Sequence, residues 1–243
     1  MPTKNAGTTD IEALSKAGVH FGRSRSRRHP SAKEFIFGAK GNVEIFDLEA
    51  TKILLERALE AARGIGEKGG QILMVGGKSE AKGAIKSAAS SAGLPFVAGR
   101  FIGGTLTNFS EIKKRIARLE NLTEQKEKGE LSKYTKKERL IIDHEIENLR
   151  EKFQGISSMK TLPVMLFVVD PRRENIAVRE ANHLNIPVMA LAGSDCDMKE
   201  LDFPVPGNDA SEASIKFITE KIAHAYKEGK KELKENSKEE KKV

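Results

Sequence analysis

The chain has 243 residues and a formal net charge of +7, from 42 Lys and Arg against 35 Asp and Glu. No apolar run approaches the length of a membrane span, and the opening MPTKNAGTTD has neither the apolar core of a secretion signal nor the Arg-rich helix of an import signal, so a cytoplasmic setting is expected. A single cysteine, Cys196, excludes an internal disulfide and a Cys-cluster metal site.

The charge is concentrated at one place. Between Lys16 and Gly41 lie seven Lys or Arg residues and one acid, Glu34. Arg23, Arg25, Arg27 and Arg28 sit between two apolar anchors, Val19 with Phe21 and Phe35 to Phe37, which suits a basic loop held on a globular body. Guanidinium forks pair with phosphate oxygens in a bidentate way and also stack on bases, so this segment points to a polyanionic partner.

The next stretch, Val43 to Leu48, reads as a strand and is followed by a helix with Ile53, Leu54, Ala58 and Ala61 at core spacing. Gly64, Gly66 and Gly69 match the spacing of a dinucleotide loop, but they follow a helix and precede a strand, so they read as the helix stop. Ile72 to Val75 is a short buried strand, Ser79 to Ala92 an Ala-rich helix, and Pro95 to Ala98 a further strand. Gly76-Gly77-Lys78-Ser79 ends like a phosphate loop but has Ile72 where the first glycine is due. It is either a plain strand-to-helix turn or a place where N–H groups and Lys78 hold one phosphate. Arg100 to Asn108, RFIGGTLTN, likewise reads as a phosphate contact or as the sharp turn that launches the next element.

From Thr107 the period changes. Phe109, Ile112, Ile116, Leu119 and Leu122, and then Leu140, Ile142, Ile146, Leu149 and Phe153, recur at three- and four-residue steps on either side of a Gly129 to Tyr134 turn. Two such helices form an antiparallel hairpin, roughly 30 Å long for arms of about 20 residues. The α/β pattern resumes with Val164 to Asp170, whose continuous apolar run fits a strand covered on both faces. The helix Glu174 to Leu184, the strands Val188 to Leu191 and Phe203 to Val205, and a last helix Ala210 to Tyr226 follow, and from Lys227 the Lys- and Glu-rich composition predicts a disordered tail. The expected architecture is a flavodoxin-like, doubly wound parallel α/β sheet of about five strands. Its body covers residues 1–106 and 154–226, with a coiled-coil hairpin inserted over 107–153 and the tail over 227–243.

No catalytic constellation emerges. The five histidines form no metal-binding pair, no serine sits in a nucleophile elbow, and Asp170, Asp195 and Asp197 after strand ends read as cap and turn residues rather than acids or metal ligands. No cofactor and no metal is expected.

The strings AGVHFG, FIFG, RFIGGTLTN, the apolar strand that ends in Asp170 after Leu162-Pro163, AVREANHLNIPV and PGND at Pro206 to Asp209 closely resemble, in order and over nearly the whole chain, the bacterial ribosomal protein S2 family. That resemblance implies a flavodoxin-like domain with a coiled-coil hairpin and no catalysis. It also implies a place on the small ribosomal subunit in contact with small-subunit rRNA and neighbouring ribosomal proteins, among them ribosomal protein S1. The chain departs from the family pattern in three places. Arg23 to Ala32 replaces H-x-T-R-x-W-N-P-K-M and keeps only Pro30, Arg100 to Gly104 replaces R-W-L-G-G, and Ala192-Gly193-Ser194 replaces D-T-N. The additional arginines predict stronger and less specific phosphate binding.

The expected rRNA contacts are Arg23, Arg25, Arg27, Arg28, Lys33, Lys40, Lys78, Arg100 and Asn108, with the hairpin lysines Lys113, Lys114, Lys133, Lys136 and Lys137 as a second group. No membrane contact and no homo-oligomer is expected. The rival readings are a flavodoxin-like binder of a phosphorylated metabolite, using the strand ends around Lys78, Asp170 and Asp195, and a hairpin adaptor that docks proteins without touching RNA.

Overall fold

The computed structural model describes residues 11–239. The segment on which the absence of a leader was read, and the last four residues of the expected tail, lie outside that range.

After a short helix α1 (Ile11–Lys16), three strands form a small antiparallel sheet: β1 (Phe21–Ser24), β2 (Ile36–Lys40) and β3 (Val43–Phe46), in the order β1-β3-β2. The Val43 segment was expected to open the parallel sheet. It pairs instead with its chain neighbour β2, because the two-residue turn Gly41-Asn42, with Gly41 at φ 63°, closes an antiparallel hairpin and leaves no room for a crossover helix.

Helix α2 (Leu48–Glu67) then leads into the parallel sheet: β4 (Ile72–Val75), α3 (Ser79–Ala92), β5 (Phe96–Val97), the hairpin helices α4 (Phe109–Glu127) and α5 (Lys136–Phe153), β6 (Met165–Val169), α6 (Asn175–His183), β7 (Val188–Ala192), β8 (Phe203–Pro206) and α7 (Glu212–Glu239). All neighbouring pairs are parallel in the spatial order β5-β4-β6-β7-β8. Numbered along this sheet the order is 2-1-3-4-5, the flavodoxin-like arrangement. Every residue of β4, β6 and β7 is buried, as their unbroken apolar runs require. Ile72 and Met74 face α2, α3 and α7, whereas Leu73 and Val75 face α6 and the base of the hairpin, so alternate side chains feed two cores.

Two sequence readings of the helices are corrected. Helix α2 runs on through Gly64 and Gly66 to Glu67, and the chain turns only at Gly69, at φ 69°. Helix α7 continues to Glu239, so the segment from Lys227 is helical as far as it is described. Lys and Glu are good helix formers, and this extension has a partner: Arg63 of α2 bonds Glu232, and Gly229 lies against the α2 backbone.

The hairpin base joins the body through Ile112, Ile116 and Phe153, while Leu119, Leu122 and Ile146 form a separate small core between α4 and α5. Leu140, expected on the packed face, is 57 % exposed. Arg118–Glu145 at 3.1 Å and Lys126–Asp143 at 2.7 Å tie the arms together, and Thr135 with Glu138 forms a capping box at the start of α5.

Candidate nucleic-acid interface

The basic segment from Arg23 to Lys40 divides into residues that hold the loop and residues that it presents. Arg23, on β1, reaches across to the far end of the chain, with Nη2 3.1 Å from Asp209 Oδ1 and Nε 3.8 Å from Asp195 Oδ1. Arg28 Nη1 lies 3.0 Å from Oε1 of Glu44, a carboxylate only 1 % exposed in the middle of β3. The His29 N–H donates to the Ser194 carbonyl at 2.8 Å, and the His29 ring accepts from the Ser31 N–H, capping a short 3-10 turn over Pro30–Phe35. These contacts fix both ends of the loop. Arg25, Arg27, Lys33 and Lys40 are exposed, and among the described residues none of them has an ion-pair partner.

Lys78 does other work than expected. It follows β4 at the point where the strand order reverses, the crevice in which open α/β sheets take their ligands. Its ammonium is buried, 2.5 Å from Asp170 Oδ2 after β6 and 2.7 Å from Asp209 Oδ2 after β8, and it also donates to the Asp209 carbonyl at 3.1 Å. Asp170 carries a φ of 63°, unusual for a residue other than glycine. Three cations (Lys78, Arg23 and Arg172) and three carboxylates (Asp170, Asp209 and Asp195) close one neutral network, with Arg172 Nη1 3.0 Å from Asp195 Oδ2. Burial raises the Asp209 carboxyl above its ordinary range, and Lys78 and Arg23 only partly offset this.

Several N–H groups at the two candidate phosphate contacts already have partners within the chain. Gly77 N–H donates to Glu174 Oε1 at 3.1 Å, and burial raises the Glu174 carboxyl despite that bond. Leu106 and Thr107 N–H donate to Glu180 Oε2 at 2.9 and 3.1 Å, and Gly104 N–H donates to Glu180 Oε1. Of the two readings of RFIGGTLTN, the geometry favours the turn, closed by a carboxylate that sits 73 or more residues away in sequence.

Asp170, Cys196 and Asp209 bring one ligand atom each within 4.8 Å, but the cation that meets the two carboxylates is the chain's own Lys78. Burial pushes the Cys196 thiol far up, so it is held protonated and is a poor nucleophile or metal ligand.

Arg172 and Arg173, which sequence reasoning passed over, join this region. With Ser26, Arg27, Asp170 and Asp195 they line an open cleft of about 700 Å³ beside the basic loop. Their signal in the sequence is the Arg pair that follows Asp170-Pro171 at a strand end. Arg100 is exposed, in a groove it shares with Lys86, Arg150 and Lys152. Asn108 is the exposed residue before α4.

On the hairpin, Lys113 lies 4.9 Å from the Phe109 ring centroid, Lys133 lies 5.4 Å from that of Tyr134, and Lys114 pairs with Glu111 at 2.6 Å. Lys136 and Lys137 open α5, where the helix dipole disfavours positive charge.

The described structure contains no helix long and apolar enough to cross a membrane. A family model for ribosomal protein S2 matches residues 14–229. That span takes in both sheets, the hairpin and every member of the ion network, and the chain belongs to the ribosomal protein S2 family, whose members are structural proteins of the small ribosomal subunit.

Proposed function

We propose that this protein binds small-subunit rRNA non-enzymatically, as part of the cytoplasmic ribosome, through the phosphate backbone. Arg25, Arg27, Lys33 and Lys40 make the central contacts, Arg173 extends them, and Arg100, Asn108 and the hairpin lysines Lys113, Lys114, Lys133, Lys136 and Lys137 form outlying groups. Arg23 and Arg28 serve by anchoring the loop. Lys78, buried between two carboxylates, is left out of the interface.

One observation carries this reading: the loop cations without partners are the exposed ones, while the paired ones hold them in place. A phosphate-metabolite site is disfavoured because the crevice at the strand ends is filled by Lys78, Asp170, Asp209 and Glu174. The hairpin, with its long exposed faces, suits contact with neighbouring small-subunit proteins such as ribosomal protein S1, and no second copy of this chain is required.

Purified protein should co-sediment stoichiometrically with small subunits. With about four phosphate contacts at the loop, its affinity for small-subunit rRNA should fall roughly a hundredfold over a fourfold rise in salt. Binding that ignores salt, or absence from the small subunit, would end this reading.

A further inference from the structure

Strand pairing gives the small sheet two unlike faces. Phe21 stands opposite Ile45 and Ser24 opposite Val43 on one side of β3, and Gly38 and Lys40 stand opposite the same two residues on the other side. Val43 and Ile45 are two residues apart and so share a face, which also carries Phe21 and Lys40. Glu44 and Phe46, on the opposite face, are buried at 1 % exposure each.

The outward face is left unusually apolar. Phe21 is 44 % exposed and Val43 39 %. The pairing register slips between Ile36 and Gly38, and the extra residue of that bulge, Phe37, is 82 % exposed. Bulges re-aim side chains, and this one directs a phenyl ring into solvent, where it adds nothing to folding. The His20 ring lies 4.1 Å from the Phe21 ring and tilted by 40°, so it supports that ring from one side.

Exposed aromatic rings call for a partner, and the surrounding charge selects its class. Lys40 lies on the same face, Lys33 is in the turn that leads into β2, and the Arg25 N–H donates to the Asn42 carbonyl at 3.1 Å, which places Arg25 beside the β2–β3 turn. A basic protein surface would be repelled here. Aromatic faces among unpaired cations are how proteins hold single-stranded nucleic acid, with bases on the rings and phosphates on the cations.

We propose that Phe37 and Phe21, exposed rings on the two outer strands of the small sheet, each form a stacking platform for unpaired bases of RNA. The inference rests on the rRNA-binding reading above and deepens it, in that the RNA met at this face is single-stranded.

The chain has no tryptophan, so Phe37→Trp places a single indole reporter on the platform. The test uses the full chain with a short mixed-sequence single-stranded oligoribonucleotide and an RNA duplex of the same length. The indole fluorescence of the Phe37→Trp variant should be quenched by the single strand and little changed by the duplex. Phe37→Ala should weaken single-strand binding about tenfold and leave duplex binding within about twofold, since one base stack is lost while the phosphate contacts stay. Phe21→Ala should act in the same direction, and circular dichroism of each variant checks the fold.

An unquenched indole in Phe37→Trp, together with unchanged single-strand affinity in Phe37→Ala, would overturn the platform, while rRNA binding that still depends on Arg25 and Arg27 would leave the broader reading standing. Loss of ribosomal-protein capture by Phe37→Ala, with RNA binding intact, would overturn the platform in favour of a protein contact. Failure of the wild-type chain to bind either RNA would remove both readings.

Discussion

Gly66 in α2 and Gly229 in α7 meet at one helix crossing, each against the backbone of the other's helix. A Cβ on Gly66 would collide with the Tyr226 carbonyl oxygen, and one on Gly229 with the Arg63 carbonyl oxygen. Backbone on both sides cannot give way, so Gly229→Ala should cost about 1–3 kcal/mol, read as a lower urea midpoint with an unchanged slope. Gly83→Ala is the control: it lies on the exposed side of α3 with nothing within 4 Å of the added carbon, and it should gain about 0.5–1 kcal/mol.

Arg28 and its neighbours Arg25 and Arg27 should separate stability from binding. Arg28→Ala leaves the Glu44 carboxylate buried without its cation and should destabilise the protein by about 2–3 kcal/mol in urea unfolding. Arg25→Ala and Arg27→Ala should stay within about 0.5 kcal/mol of wild type in the same experiment, yet weaken rRNA binding and reduce its salt dependence. A stable Arg28→Ala protein would show that the loop is not anchored through Glu44.

Glu174 should leave a signature in the pH dependence of stability. Burial raises its carboxyl above the ordinary 4.5, so the folded chain holds this proton more tightly than the unfolded one. That contribution is therefore lost as pH rises from the ordinary value through the raised one, and it stays lost at neutral pH. Glu174→Gln keeps an acceptor for the Gly77 N–H and removes the titration. In urea unfolding between about pH 4 and 7, the variant should gain on wild type as pH rises. A gain that shrinks toward neutral pH would contradict the buried-carboxyl account.

Lys136 and Lys137 occupy the first turn of α5, the wrong end of a helix for positive charge. Replacing both by Glu should stabilise the hairpin by about 0.5–1 kcal/mol through the dipole, seen as a higher helix melting temperature. The same change should weaken binding to the small subunit. Gain of stability with undiminished binding would remove these two lysines from the interface.

Much of the fold is legible in the chain because its signals are local. The unbroken apolar runs of β4, β6 and β7 announce strands covered on both sides, and the three- and four-residue recurrence from Ile112 to Leu122 announces the hairpin arm. Leu140 and the pair Gly64 and Gly66 misled for the same reason: periodicity and composition describe one helix, and which side meets a neighbour depends on the neighbour. The helical course of Lys227 to Glu239 was hidden likewise, since its partner Arg63 lies in α2.

What the sequence by itself determined is the concentration of positive charge near the amino end, the alternation that builds a flavodoxin-like sheet, and the family. Only the tertiary structure decided which cations are available to a partner. Arg23 is held by Asp209, 186 positions away, and Lys78 by Asp170 and Asp209, while Arg25 and Arg27 face outward. The physical reason is that a charge's availability depends on the opposite charges within a few ångströms of it, and here folding brings them from the ends of separate strands.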